Sequence, residues 1–302
     1  MLYKVKRFLF EIRKFLFVVC NFCLISLLLL SCNTDDLDYR LIDYWNVDGV
    51  VIKKYDNKVM PNYATLDGSS LTAQGCAISG SIMYRFYNGG YCKAFEISDD
   101  FNIRLVTEFQ MDSYHDGNHM NCAQFYPKSD ILYSSEFNMR TCNVEKINLT
   151  DSNSVQLQRI HINETENLGH GFLNIVCGDD GFLWAFGDYG NGTICLLKFL
   201  LPDTIKSNNN VHIGDDDVLG KWFHVDDICL QGGLVKNGFI YLLSGSYTDK
   251  KYLFIFDSST GALSKKINLN AIVKEEPEDC DFYKNHLIIT VFGGSSFYVM
   301  DF

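Results

Sequence analysis

The chain has 302 residues, with 37 Asp and Glu against 26 Lys and Arg, for a formal net charge of −11 at pH 7. That balance repels phosphate backbones, and the basic residues form no patch beyond the first thirty positions, so nucleic-acid binding is excluded. Phe (23) and Tyr (17) are abundant, Pro (4) is rare, and β-branched residues are common, a profile that favours strands over helices.

The first element is a basic head, Lys4, Lys6, Arg7, Arg13 and Lys14, followed by an apolar run from Phe15 to Leu30. Positive head, apolar run and small residue come in the order of an export signal. The alternative is a single membrane anchor, although the run falls just short of the ~20 residues that span a bilayer. Leu29-Leu30-Ser31-Cys32 resembles the lipobox of bacterial lipoproteins, which implies cleavage before Cys32 and acylation of that cysteine. Residues 1–31 are then the signal peptide. Their loss leaves 21 basic against 36 acidic side chains, a net charge of −15. Asn33-Thr34-Asp35-Asp36-Leu37-Asp38 resembles the acidic tether of surface-exposed lipoproteins of Bacteroidetes. The expectation is a chain lipid-anchored in the bacterial outer membrane, with residues 32–40 as tether and 41–302 as one domain. The tether favours display at the surface over a periplasmic orientation.

After the signal no long segment carries a clean 3.6-residue period. Short apolar strands alternate with Gly, Asn and Asp turns, the pattern of an all-β domain. Five units are visible. They open at Gln74-Gly75-Cys76, Asn121-Cys122, Asn174-Ile175, Gln231-Gly232 and Cys280-Asp281, at intervals of roughly 47 to 57 residues. Each shows three strands. Fourth strands follow at Asn102–Val106, Ser154–Leu157 and Leu263–Ile267. The last unit lacks its fourth strand, and Val47–Ile52 is placed to supply it. These features predict a single β-propeller of five four-stranded blades, closed by an N-terminal strand and monomeric. Ring closure leaves few long free edges.

Eight cysteines follow Cys32, with none in a CxxC pair. Cys76, Cys122 and Cys280 lie on first strands; Cys92, Cys142 and Cys195 open third strands. First and third strands of a blade sit about 9.5 Å apart, too far for a disulfide within the blade. The cysteines read as small buried thiols between blades.

Gln74-Gly75, Gly169-His170-Gly171-Phe172, Gln231-Gly232 and Glu276-Pro277-Glu278 resemble elements of the five-bladed propellers of the teichoic-acid biosynthesis protein C-like group, which includes phage receptor-binding propellers. There, "QG", "GHG" and "EPE" mark the starts of innermost strands. The resemblance implies a polar central channel and a role at cell-surface glycopolymers. Asp279 departs from the pattern where a glycine is expected, and Asn118-His119-Met120-Asn121 matches it only loosely.

Innermost strands start at one mouth of the channel, so polar residues there converge from distant positions. Gln74, His119, Asn121, His170, Asp226, Asp227, Gln231, Glu276 and Glu278 are the candidates for one rim that binds a glycan or glycopolymer. Gln74 and Gln231 read first as ties between adjacent blades; His119 and His170 fit either role, and His224 reads as packing beside Trp222 and Phe223. The alternative is a carbohydrate-active enzyme. A glycoside hydrolase would draw on Asp226, Asp227, Glu276, Glu278, Asp279 and Asp281, and a lyase or phosphodiesterase on the histidines. A third reading is an envelope scaffold that binds protein across the propeller face. No cofactor is implied. Asp179-Asp180 and Asp215-Asp216-Asp217 are compatible with Ca²⁺ but read more simply as turns, and no zinc spacing is present.

Overall fold

The computed structural model describes residues 39–57, 63–66, 69–113, 119–136, 139–188, 193–203, 210–226, 229–246, 250–292 and 296–302. The predicted signal, Cys32 and Asp227 lie outside the described residues. Among the described residues the strands form five sheets arranged as the blades of a propeller.

In chain order, β1 (Tyr39–Val47) and β2 (Val50–Asn57) form a hairpin. Blade 1 contains β4 (Ser69–Ser79), β5 (Ile82–Tyr87), β6 (Tyr91–Ile97) and β7 (Ile103–Gln110), with β3 (Tyr63–Leu66) added beside the start of β4. Blade 2 contains β8 (Met120–Phe125), β9 (Ile131–Glu136), β10 (Thr141–Asn148) and β11 (Asn153–Ile162). Blade 3 begins with β12 (Asn174–Cys177), β13 (Phe182–Asp188) and β14 (Thr193–Leu200). The chain then returns to blade 2, where β15 (Asn210–Ile213) pairs in parallel with β11, before β16 (Val218–Val225) completes blade 3. Blade 4 contains β17 (Leu230–Lys236), β18 (Phe239–Ser244), β19 (Tyr252–Asp257) and β20 (Leu263–Asn268). Blade 5 contains β21 (Glu276–Tyr283), β22 (His286–Phe292) and β23 (Ser296–Asp301).

The ring closes as the sequence predicts. β2 pairs antiparallel with β23, Ile52 opposite Met300 and Tyr55 opposite Phe297, and serves as the fourth strand of blade 5. The closing strand runs further than Val47–Ile52, and β1 adds a fifth strand outside it. The boundary expected at residue 41 therefore falls inside β1. The sequence reading also missed β16 and the excursion to β15.

The core consists of five apolar layers, one between each pair of adjacent blades. Middle strands are buried on both faces, and successive side chains serve different layers. On β19, Phe254 and Phe256 pack towards blade 3 with Trp184 and Phe186, while Leu253 and Ile255 pack towards blade 5 with Cys280 and Leu287. On β14, Ile194 and Leu196 face blade 4, while Cys195, Leu197 and Phe199 face blade 2. This double duty explains the unbroken apolar runs. Each fully buried large side chain contributes roughly 1.5–3 kcal/mol. The eight described cysteines are free thiols, and all but Cys229 are buried. His224 packs edge-on against Phe254 and Phe256, at centroid distances of 6.2 and 5.5 Å.

Candidate functional site

Four of the five innermost strands carry a β-bulge near their starts. The register shifts between Ala73 and Cys76 on β4, Met120 and Cys122 on β8, Leu230 and Gly233 on β17, and Pro277 and Asp279 on β21. The bulged residues are Gln74-Gly75, Asn121, Gln231-Gly232 and Glu278, the motif positions found in the sequence. A bulge bends its strand and re-aims a side chain. The glycines are required by close approach. A Cβ on Gly75 would lie 2.6 Å from the Met120 carbonyl, and one on Gly232 would overlap the Asp279 carboxylate.

Past the bulges the strands seal the channel. Asp279 Oδ2 accepts the main-chain N–H of Cys76 at 3.0 Å and of Ala123 at 3.1 Å, and Oδ1 accepts that of Cys280 at 2.9 Å. One carboxylate thus joins blades 5, 1 and 2. Burial pushes its pKa well above the usual carboxylate range, opposed by those three amides. Asp281 accepts Ile78 N and Phe282 N, each at 2.6 Å; burial raises it to about 6, against the Lys236 charge and the two amides. Gln124 on β8 clamps Val235 on β17, donating to its carbonyl at 2.7 Å and accepting its N–H at 3.1 Å. Cys122 Sγ makes a similar pair with Gly233, at 2.8 and 3.3 Å.

The mouth, on the strand-start side, holds a cavity of about 360 Å³. Its lining is Thr72 and Gln74 on β4, His119 and Asn121 at β8, Cys229 and Gln231 at β17, Glu276 and Glu278 on β21, and Phe292 at the end of β22. Four blades each contribute a pair two residues apart, the spacing that puts side chains on one face of a strand. Six of the candidates from sequence meet here: Gln74, His119, Asn121, Gln231, Glu276 and Glu278.

Two candidates do not join them. His170 lies in the loop between β11 and β12, where it is exposed, with Nδ1 3.7 Å from Glu164 Oε2. Innermost strand β12 starts four residues later than the Gly-His-Gly motif suggests, so the equivalent inner position is Asn174. Arg140 holds that loop by donating to the carbonyls of Ile162 (3.0 Å), Gly171 (2.6 Å), Leu168 (3.0 Å) and Asn163 (3.3 Å). Asp226 is drawn to the outer strands by Lys266, with His224 Nε2 at 3.8 Å. Thr72, Cys229 and Phe292 were missed by sequence reasoning. The signal for the first two was the two-residue step before each glutamine.

The lining is largely uncharged near neutral pH. Burial lowers His119 to about 4, leaving a neutral imidazole. Burial raises Glu278 to about 8, with the neighbouring Glu276 adding to the rise and the Arg85 charge opposing it. Gln231 Nε2 donates to Gly245 O at 3.1 Å and to Glu276 Oε1 at 2.9 Å, so it ties blades 4 and 5 while facing the cavity. Asn121 Nδ2 reaches Asn174 Oδ1 at 3.4 Å, and Asn174 Nδ2 donates to Gln231 O at 2.7 Å.

Among the described residues no group of three or more His, Cys, Asp or Glu is placed to hold a metal ion. The acidic runs considered for Ca²⁺ form turns. Asp217 accepts Gly214 N at 2.8 Å, Asp179 accepts Asn237 N at 2.9 Å, and Asp180 pairs with Lys198 at 3.0 Å.

No family model matches the chain, and no curated protein matches it. Among solved structures it is similar to the β-propeller domain of Myceliophteria thermophila Cps50 (Swd1), at 10% identity and a TM-score of 0.40, over 87% of this chain and 99% of that chain. Sheet order and ring closure define the class: the chain is a five-bladed β-propeller with a pocket where its innermost strands start.

Proposed function

We propose that this chain is an envelope lipoprotein whose propeller binds a glycan at the channel mouth without catalysis. The pocket carries the proposal. Its volume of about 360 Å³ falls within the ~300–1,000 Å³ usual for small-molecule sites. Its amides, neutral imidazole and protonated carboxyl suit hydroxyl groups, and Phe292 adds an aromatic wall. The QG and EPE elements that build the mouth resemble those of propellers acting at surface glycopolymers, which supports the same ligand class. The basic head, the apolar run and Leu29-Leu30-Ser31-Cys32 support lipid anchoring at Cys32 in the outer membrane.

One observation favours an enzymatic alternative on the same substrates: a carboxyl protonated to about pH 8 is what a general acid requires. An array of polysaccharides and teichoic-acid-like polymers tests the main reading. A specific hit lost in His119→Ala supports it, and a blank array on folded protein rejects it. Product analysis on the hit separates binder from enzyme. Labelling with a tagged fatty acid that persists in Cys32→Ser rejects the anchor.

A further inference from the structure

Strand β15 is the irregular feature of the ring. The chain leaves blade 3 after β14 and pairs in parallel with β11 of blade 2 over four residues, before returning for β16. Apolar residues hold the strand there. Val211 and Ile213 pack with Ile160 and Ile162 in the layer between blades 2 and 3. Successive side chains of a strand take opposite faces. The same register therefore puts the intervening pairs, Arg159 with Asn210 and His161 with His212, on the other face. There the two imidazoles meet edge-on, with ring centroids 5.5 Å apart and planes at 65°. His212 is exposed and His161 partly buried, so both are open to solvent. Neither ring hydrogen-bonds to another described residue. His286 differs, since its Nδ1 bonds to Asp301.

Imidazole nitrogens suit zinc, copper and nickel among the divalent ions. Two imidazoles that share one tetrahedral ion through bonds of ~2.0–2.1 Å hold their ring centres roughly 5 Å apart, close to the separation of this pair. We propose that His161 and His212 chelate a divalent transition-metal ion of the zinc class, which clips β15 onto blade 2. The protein supplies two ligands, and water takes the remaining positions. This is one ligand fewer than the three-residue groups absent from the described residues. The charges around the pair balance. Arg140 from β10 and Arg159 from β11 act on His161, and Glu164 from the following loop opposes them. Arg140 is committed to four main-chain carbonyls, and Arg159 lies 3.3 Å from the Glu136 carboxylate. Sequence spacing could not pair these histidines, because the excursion of β15 is what brings them together. The proposal is independent of the glycan reading.

The test titrates the purified full chain with Zn²⁺ by calorimetry near neutral pH. Accessible thiols are alkylated first, because Cys229 is exposed. One equivalent is expected to bind. His212→Ala and His161→Ala are each expected to weaken that binding about tenfold or more, and the double variant no further. His170→Ala, outside the pair, is expected to leave it unchanged. Zinc is expected to raise the melting temperature of the wild type and of neither single variant, since a ligand of the folded state stabilises it. His212 is exposed, so its replacement leaves the core intact if the His161 variant fails to fold. X-ray absorption at the zinc edge reads the ligands without any variant: two imidazole nitrogens, the rest oxygen, and no sulfur are expected. Binding that survives the loss of His212, or a shell with sulfur or fewer than two imidazoles, marks an adventitious ion and overturns the proposal. So does the absence of binding up to about 1 mM zinc.

Discussion

The mouth and the sealed axis of the channel are built from the same strands and the same residue types, yet they treat polar groups in opposite ways. At the axis Asp279, Asp281, Gln124 and Cys122 bond to main-chain groups of other blades. At the mouth Gln74 donates to the Thr72 side chain, Gln231 donates to Glu276 as well as to Gly245 O, and Glu278 lines a cavity. Glu278 and Asp279 are consecutive carboxylates, but one faces the cavity and the other joins three blades. The bulge between Pro277 and Asp279 separates the two roles. Residue type therefore does not distinguish a tie from a cavity-facing group; position relative to the bulge does.

The largest expected effect breaks the axis. Asp279→Ala leaves three buried N–H groups without an acceptor and is expected to cost about 3–6 kcal/mol, read by urea denaturation. Gly232→Ala drives a methyl into the Asp279 carboxylate; about 1–3 kcal/mol is expected in the same assay. Gln124→Leu leaves the Val235 N–H without its acceptor, while the Val235 carbonyl keeps the Asp179 N–H at 3.3 Å, for a smaller loss of about 1–3 kcal/mol; failure to destabilise would mean the clamp between β8 and β17 is not made in solution.

At the mouth the expected change is small and depends on pH. The folded-state pKa of Glu278, about 8, lies above its ordinary value of 4.5, so the folded protein keeps a proton that the unfolded chain gives up. Stability from this group is fully present below about pH 4.5 and is lost as pH rises to about 8. From about pH 6.5 to 8 wild-type stability is expected to fall more steeply than that of Glu278→Gln, in which the raised carboxyl of Asp279 still contributes a fall. Equal slopes for the two proteins would place Glu278 in water rather than in the pocket wall.

Much of this was legible in the sequence. The blades could be counted because strands buried on both faces read as apolar runs between glycine turns. The QG and EPE positions stood out by their family resemblance, and at Gly75 and Gly232 the structure supplies the reason for the glycine: a bulge under close approach. Strand β16 was not legible, since an edge strand that includes Gly220 and Lys221 with alternate residues exposed lacks an apolar run. His170 was misjudged because its motif lies in a loop held by Arg140 rather than at the head of β12. Asp279 looked like a departure from a glycine pattern; its meaning lay in amides of blades 1 and 2, more than 150 residues away in the chain.

The pairing of β2 with β23 also sets the order of events in folding. Ile52 finds Met300 only after nearly the whole length between them has been synthesised. Blades 1 to 4 can each form from nearby segments, but blade 5 must wait, and its contacts carry the largest loop-closure entropy in the chain. Such long-range pairing makes folding slow. Until the late-made strand arrives, β2 has β1 on one side and an unpaired edge on the other, and the ring stays open.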